Sequence, residues 1–321
     1  MLLEDTHPEH PFSLDFCRFA DKNDLLLAVG TKNGPWHQIP EPYGTRYSQK
    51  LKLYKHSYEM FGKFIERCVK YGYSVFTIKS FLPFPYADSN IDFVVVQPQN
   101  QDVYITVLND LGYKRFRSLA DIREPNKQMY TYRIEDSNYP KLHLHKSLSW
   151  NGITYLNKIQ VWDRHRYIRI NGLSIPIPSA EDELLIMAAH AVFENKYISL
   201  GELLHLINLL ESSLDWDYIL RVAEENSWIT GLRLFLSITS RMGEELGYTI
   251  GINQDLVDKL KVGRLDFPFM LPFKDTLQAT FSKLALDFRF NNIGEIPREL
   301  FTYLMVDLIW MYYKAVKKIK G

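Results

Sequence analysis

The spacing of hydrophobic positions divides the chain into two parts at about residue 178. Residues 44–72 place Leu53, Met60 and Phe64 among charged residues at intervals of three and four, which predicts a long helix. The pattern then changes to β-branched and aromatic runs typical of strands. The predicted strands span 73–78, 91–96, 113–119, 128–134, 141–150 and 168–177, the last with a turn at Asn171-Gly172, and a helix is predicted over 103–111.

After Pro178 the pattern is helical to the end of the chain. Ser179 followed by Asp182 resembles a capping box, and Leu184, Leu185 and Ala188 then mark one helix face. Further helices are predicted over 200–210, 216–225, 231–246, 271–286 and 297–319. We therefore predict an α+β fold with three parts: an N-terminal arm (1–45), an α/β domain (46–178) and a helical domain (179–321).

Composition narrows the class of protein. The chain has 321 residues, 46% of them hydrophobic, and 38 basic residues balance 38 acidic ones. This excludes a disordered chain and argues against a whole-protein electrostatic clamp on nucleic acid, although a local basic groove stays open. Two cysteines, Cys17 and Cys68, are too few for a disulfide framework. Because residues 1–11 also lack a signal-peptide pattern, we expect a cytoplasmic protein.

One segment invites a membrane interpretation. Residues 301–313 are nearly all apolar or aromatic, and a lysine-rich tail follows them. A spanning helix needs about 20 apolar residues. This run is shorter and contains Asp307, so we expect no membrane span and favour a docked C-terminal helix over a helix lying on a membrane surface.

Asn90 and Asp92 begin a strand that is otherwise apolar. Side chains alternate across a strand, so these two share one face while Ile91, Phe93 and Val95 occupy the other. Two polar side chains at this position are typical of a sheet that presents ligands to a metal or substrate. The alternative is a strand end whose polar residues meet water.

Two histidines occur on a later strand. His143 and His145 share a face with Ser147, and Leu142 and Leu144 face the other way. Histidines at this spacing are able to bind a metal, although hydrogen-bonded strand histidines are more common. The pair taken alone leaves both interpretations open.

Two further motifs carry possible chemistry. Lys79 and Ser80 follow a predicted strand, where a lysine would meet phosphate as a point charge or simply lie in solvent. No P-loop pattern occurs. His190 and Glu194 lie four apart on a helix without the H-E-x-x-H pattern, so we expect a hydrogen bond within the helix rather than a zinc site.

Together these segments resemble an uncharacterised nucleotidyltransferase family of archaeal type, within the DNA-polymerase-β-like superfamily. The resemblance rests on Ile78-Lys79-Ser80, the prolines of the following loop, the strand 89–95, the segment 144–152, and the helix running from Glu181 to Lys196. It extends from about residue 50 to about 310 and implies a mixed sheet flanked by helices, with a helical domain after it.

The resemblance implies transfer of a nucleoside monophosphate from NTP to an acceptor. Family members would hold two Mg²⁺ ions with two carboxylates on one strand and a third on its neighbour. Here Asn90 occupies the first acidic position, Asp92 matches the second, and His143 occupies the third. Ser80 replaces the glycine expected after Lys79. One carboxylate would therefore remain, which suits a single ion such as Mn²⁺ better than two Mg²⁺ ions.

Two functional hypotheses follow. In the first, the protein is an enzyme in which Asp92 is a metal ligand, Asn90 and His143 are auxiliary ligands, and Lys79 and Ser80 bind phosphate. In the second, it is a degenerate member that binds a nucleotide or a partner protein without turnover. The partner would be an NTP, and the acceptor stays open between a small molecule, a protein hydroxyl and an RNA end.

Overall fold

The computed structural model describes residues 12–32, 39–80, 82–87, 90–97, 101–116, 126–132, 139–150, 153–170, 172–257 and 269–290. Three helices come first: α1 (Leu14–Lys22), α2 (Leu26–Lys32) and α3 (Tyr43–Lys70). The α1 helix begins at Ser13, whose hydroxyl accepts a hydrogen bond from the backbone N–H of Phe16. The predicted long helix over 44–72 is thus confirmed as α3.

A mixed five-stranded sheet follows. Its strands are β1 (Val75–Ile78), β2 (Asn90–Val95), β3 (Tyr113–Phe116), β4 (Lys127–Tyr132) and β5 (Lys141–His145), and α4 (Gln101–Asp110) lies between β2 and β3. The spatial order is β1-β2-β5-β4-β3. The β2 and β5 strands run parallel, and the other neighbours are antiparallel. The α4 helix ends where Gly112 adopts a φ of +87°, as the sequence predicts.

The two faces of the sheet pack against different helices. On one face Phe93 lies between the rings of Phe61 and Phe64 of α3, at centroid distances of 4.9 and 4.5 Å. On the other face Phe76 and Val94 belong to the core formed with the C-terminal helices. The alternation predicted for β2 is therefore confirmed, and the face that carries Asp92 is turned toward the helical part of the chain.

One predicted strand, over residues 141–150, is wrong in its extent. Residues 141–150 are not one strand, because the chain bends at 146–147 and separates β5 from β6 (Leu148–Trp150). Beside the bend, the backbone N–H of Lys146 donates to the carbonyl of Asn126. The remaining elements are β7 (Ile153–Leu156), α5 (Lys158–Asp163), and a hairpin of β8 (Arg166–Ile170) and β9 (Leu173–Ile177).

The helical part begins after Pro178. It contains α6 (Ala180–Ala189), a π-helical turn (His190–Asn195), β10 (Tyr197–Ile198), α7 (Leu200–Leu210), α8 (Trp216–Glu225), α9 (Ile229–Glu245), a 3-10 turn (Gln254–Leu256), β11 (Phe269–Met270) and α10 (Phe273–Phe290). Ser199 and Glu202 form a reciprocal capping box at α7. At α6 the Ser179 hydroxyl accepts from the Asp182 N–H, but the Asp182 carboxylate contacts that hydroxyl and Tyr218.

The α+β class with a mixed sheet and C-terminal helices is confirmed. The three-part division at residues 45 and 178 stays a prediction. The candidate membrane segment 301–313 and the helix predicted over 297–319 lie outside the described residues. Among the helices that the structure describes, none has the length and hydrophobicity to span a bilayer.

Candidate functional site

Asp92 occupies the centre of a buried cluster on the sheet. In the parallel pairing of β2 and β5, Asp92 stands opposite His143. Its Oδ1 lies 3.1 Å from His143 Nδ1 and 2.7 Å from His145 Nε2. Both imidazoles reach the same oxygen because residues two apart on a strand share a face. The Asp92 side chain is only 3% exposed, so its charge depends on these neighbours rather than on water.

Lys79 completes this cluster from the end of β1. Its Nζ lies 3.3 Å from Asp92 Oδ2, on the side of the carboxylate away from the histidines. Ser80 behaves differently, because its hydroxyl donates to the carbonyl of Ile78 and it is absent from the cleft lining. Of the two residues predicted to meet phosphate, the structure brings only Lys79 to the site.

The predicted metal ligands were Asn90, Asp92 and His143, whereas the converging side chains include His145 in place of Asn90. Asn90 lies on β2 two residues before Asp92 and lines the adjoining cleft. The carboxylate and imidazole atoms that converge belong to Asp92, His143 and His145, all within 4.8 Å of one another. The site prediction omitted His145, although the alternation with Leu142 and Leu144 already placed it on the same face as His143.

The cluster shifts the proton affinities of its members. Burial by itself would raise the pKa of Asp92, but Lys79 and the hydrogen bonds from His143 and His145 outweigh burial and hold that pKa well below its usual range. Burial lowers the pKa of His145 to about 4, despite the opposing effect of Asp92. At neutral pH the cluster therefore contains a carboxylate anion beside a neutral His145.

A cleft of about 290 Å³ separates this part of the sheet from the helices. Its acidic and basic lining residues come from both sides: Asp24, Lys79, Lys127, Glu183, His190, Glu194, Glu202 and His205. On the sheet side Lys79 and Asn90 line the cleft, and Asp92, His143 and His145 adjoin Lys79 without lining it. We call these five residues the sheet wall. We call Glu183, His190, Glu194, Glu202 and His205 the helical wall.

On the helical wall, each carboxylate faces a basic group or a backbone donor. Glu194 lies 3.0 Å from His190 Nε2 and 3.7 Å from Lys127 Nζ, which confirms the expected His190–Glu194 contact although the backbone there is π-helical. Burial would raise the pKa of Glu194, but His190 and the lysines hold it well below the usual range.

The other two carboxylates of the helical wall are held in the same way. Glu183 accepts from Arg166 at 2.9 Å and lies 3.0 Å from His205 Nε2. Glu202 accepts from the backbone N–H of Ser199, and burial raises its pKa to about 7. The sequence had singled out Glu194 only as a neighbour of His190, and it carried no signal for Lys127, Glu202 or His205.

The chemistry of the three converging side chains, Asp92, His143 and His145, determines which metal ion the sheet wall fits. Two Mg²⁺ ions need several anionic oxygens, and Asp92 is the one carboxylate among the three converging ligands. The converging ligands among the residues that the structure describes therefore do not fit the pair of Mg²⁺ ions implied by the family. One carboxylate with two imidazoles suits a single Mn²⁺ or Zn²⁺ ion, which accepts both nitrogen and oxygen ligands.

The chain was compared with protein families, with curated proteins and with solved structures. The family described as "Uncharacterised nucleotidyltransferase" matches residues 89–243. A search of curated proteins gave no match. Among solved structures, the chain is similar to an antigenic nucleotidyltransferase-like protein from Paracoccidioides brasiliensis, with 11% identity, a TM-score of 0.39, and 62% of this chain and 91% of that one covered. It is also similar to terminal uridylyl transferase 4 from Trypanosoma brucei with bound GTP, with 12% identity, a TM-score of 0.27, and 77% and 73% covered.

The family match contains β2, β5 and the π-helical turn, so both walls of the cleft lie largely inside it. It confirms the resemblance drawn from the strand 89–95 and the helix after Pro178. Residues 89–243 of this chain match the family of uncharacterised nucleotidyltransferases, and the protein is nucleotidyltransferase-like.

Proposed function

We propose that the cleft binds a nucleoside triphosphate and that the protein transfers the nucleoside monophosphate to an acceptor hydroxyl. One observation carries this proposal: Asp92, His143 and His145, all inside the matched family region, converge with Lys79, which lines the cleft. A carboxylate with two imidazoles gives a place for one divalent ion, and lysines beside it give positive charge for phosphate oxygens.

The roles divide between residues of this chain. Asp92, His143 and His145 would hold the ion, with Asn90 as an auxiliary oxygen donor at the end of β2. Once bound, such an ion supplies charge neutralisation for the phosphates. Lys79 and Lys127 contact phosphate oxygens, and the walls of the cleft position the nucleotide and limit the access of water.

Ligation also constrains the histidine tautomers. His143 Nδ1 and His145 Nε2 now face Asp92 Oδ1 and donate to it when they carry hydrogen. To bind an ion through these same atoms, each ring must carry its hydrogen on the other nitrogen. His145 does this without releasing a proton to solvent, because it is neutral at pH 7.

Pyrophosphate release tests the transfer. Purified protein is incubated with each of the four NTPs, with either Mn²⁺ or Mg²⁺, and with an acceptor hydroxyl supplied in turn as a short RNA, a seryl peptide or glycerol, and free pyrophosphate is measured. We expect release with Mn²⁺ in the parent and none in Asp92→Asn. Glu59→Gln, which removes an exposed partner of Lys63 on α3, is the matched control and should behave as the parent. Equal release by Asp92→Asn and the parent would refute the assignment.

A second function is favoured by the charge count on the sheet wall. With one carboxylate in the converging cluster, the chain would bind a nucleotide and not turn it over. Asn90→Asp separates the two functions, since it adds a carboxylate at the cleft end of β2. If the parent binds nucleotide without pyrophosphate release and Asn90→Asp releases it with Mg²⁺, the parent is the non-catalytic module.

A further inference from the structure

The backbone at Lys79 is unusual for a lysine. Its φ is +59°, in the left-handed region that non-glycine residues seldom adopt. Such conformations persist where surrounding contacts determine them, and they cluster at functional sites. The turn places the ammonium group 3.3 Å from Asp92 Oδ2 and 6.0 Å from the centre of the Trp150 ring. Lys79 is thus directed at the one carboxylate of the proposed metal site.

The protein itself supplies a cation at that carboxylate. Asp92 presents Oδ1 to the two histidines and Oδ2 to Lys79, so both oxygens already have partners. A divalent ion bound there would place two positive charges beside the ammonium, with one carboxylate charge to balance all three. In a site this buried the excess positive charge is costly unless an anion enters with the ion.

We propose that Lys79 couples the binding of metal and of triphosphate, an inference that rests on the proposed function of the cleft. Without nucleotide, Lys79 acts as the counter-cation of Asp92 and disfavours a divalent ion. When a triphosphate enters, the ammonium moves to its oxygens, and the ion and the triphosphate bind together. Each ligand alone therefore binds weakly, and each raises the affinity for the other by the same factor.

The second lysine of the cleft has a different counter-ion. Lys127 lies 3.7 Å from Glu194 on the helical wall, whereas the ion pairs described for Asp92 are formed with Lys79 and the two histidines. Neutralising Lys127 should weaken triphosphate binding with a smaller effect on the ion alone. The two lysines thus form a matched pair for a test.

The experiment measures Mn²⁺ binding to the full chain by the electron paramagnetic resonance signal of free Mn²⁺. Each titration is done with and without a non-hydrolysable NTP analogue. We expect the analogue to raise the Mn²⁺ affinity of the parent roughly tenfold to a hundredfold. Lys79→Gln should bind Mn²⁺ alone about tenfold more tightly than the parent and should lose most of the coupling.

Three further variants make the result specific. Lys79→Gly also removes the ammonium and suits a positive φ, so it replaces the glutamine variant if that one folds poorly. Lys79→Arg retains the charge and should retain weak binding of Mn²⁺ alone. Lys127→Gln should leave the affinity for Mn²⁺ alone within about twofold of the parent while weakening analogue binding.

Two outcomes overturn the coupling. One is an affinity for Mn²⁺ alone that is unchanged or lower in both Lys79→Gln and Lys79→Gly. The other is no Mn²⁺ binding by any variant, with or without analogue. A parent that binds Mn²⁺ and analogue cooperatively but releases no pyrophosphate refutes the transfer reaction alone and leaves the coupling supported.

Discussion

The two walls of the cleft both bury carboxylates and histidines, but they arrange them differently. On the sheet wall, one carboxylate receives two imidazoles and a lysine. On the helical wall, three carboxylates each have their own basic or backbone donor, as in the contact of Glu183 with Arg166. A buried carboxylate with two converging nitrogen ligands is able to exchange hydrogen bonds for a metal ion, whereas an acid matched to a base mainly holds the structure together.

The largest expected effect comes from Asp92→Asn. The substitution leaves Lys79 without its counter-ion in a largely buried site, and losing one partner of such a pair costs about 3 kcal/mol of unfolding free energy. We also expect Mn²⁺ binding to disappear. Urea unfolding at pH 7 in chelator measures the first effect, and Mn²⁺ titration measures the second. Glu59→Gln, in an exposed pair, should change stability by less than about 0.5 kcal/mol.

The same variant carries a pH signature. Because the folded pKa of Asp92 is depressed, its charge stabilises the folded state above the unfolded value of about 3.9 and loses this effect as pH falls through the folded pKa. The stability difference between parent and Asp92→Asn should therefore be full at pH 6 and shrink below about pH 4. A difference that stays constant from pH 6 to pH 3 would show that the carboxylate charge is not responsible.

His145→Gln should have the next largest effect on the metal. His145 is closer to Asp92 than His143 is, at 2.7 against 3.1 Å. Since altering even the partners of metal ligands costs 10- to 100-fold in affinity, we expect at least about a 100-fold loss of Mn²⁺ affinity here. The visible spectrum of bound Co²⁺ should also lose intensity. An unchanged affinity would remove His145 from the ligand set and restore the predicted set with Asn90.

Glu194→Gln tests the helical wall, where we expect a loss of stability with little change in Mn²⁺ affinity. It removes the charge that Lys127 and His190 face, so we expect a loss of about 2 kcal/mol in unfolding free energy. Mn²⁺ affinity in the absence of nucleotide should stay within about threefold of the parent. Urea unfolding and the same Mn²⁺ titration supply both numbers. A large loss of metal affinity with little loss of stability would reverse the comparison between the walls.

Glu202→Gln is expected to change the pH dependence of stability. Burial raises the folded pKa of Glu202 to about 7, while its unfolded value is about 4.3. Its contribution to stability is therefore full below pH 4 and declines as pH rises to about 7. Glutamine keeps an oxygen for the Ser199 N–H. The stability of the parent relative to the variant, measured by thermal melts, should fall between pH 4.5 and pH 8 and vary little beyond that.

The spacing of neighbouring residues predicted most helices and strands, and it predicted which side chains of β2 share a face. The spacing in α3, the alternation in β2 and the turn before β9 each follow from rules that involve residues close in sequence. The break at 146–147 did not follow, because the backbone contact of Lys146 with Asn126 that accompanies it joins residues 20 positions apart. The π-helical turn at 190–195 also left no trace, since its apolar residues continue the α-helical pattern of α6.

The sequence by itself determined that Asp92 shares a face with Asn90, that His143 shares one with His145, and that the chain belongs to an α+β class, because period-two alternation and helical spacing are local properties. The tertiary structure decided that these two faces meet, through the parallel register that sets Asp92 opposite His143. It also decided that Lys79 turns back onto Asp92 and that Lys127 faces Glu194 across the cleft. Register and long-range ion pairs depend on how distant segments pack, and no pattern of neighbouring residues encodes that packing.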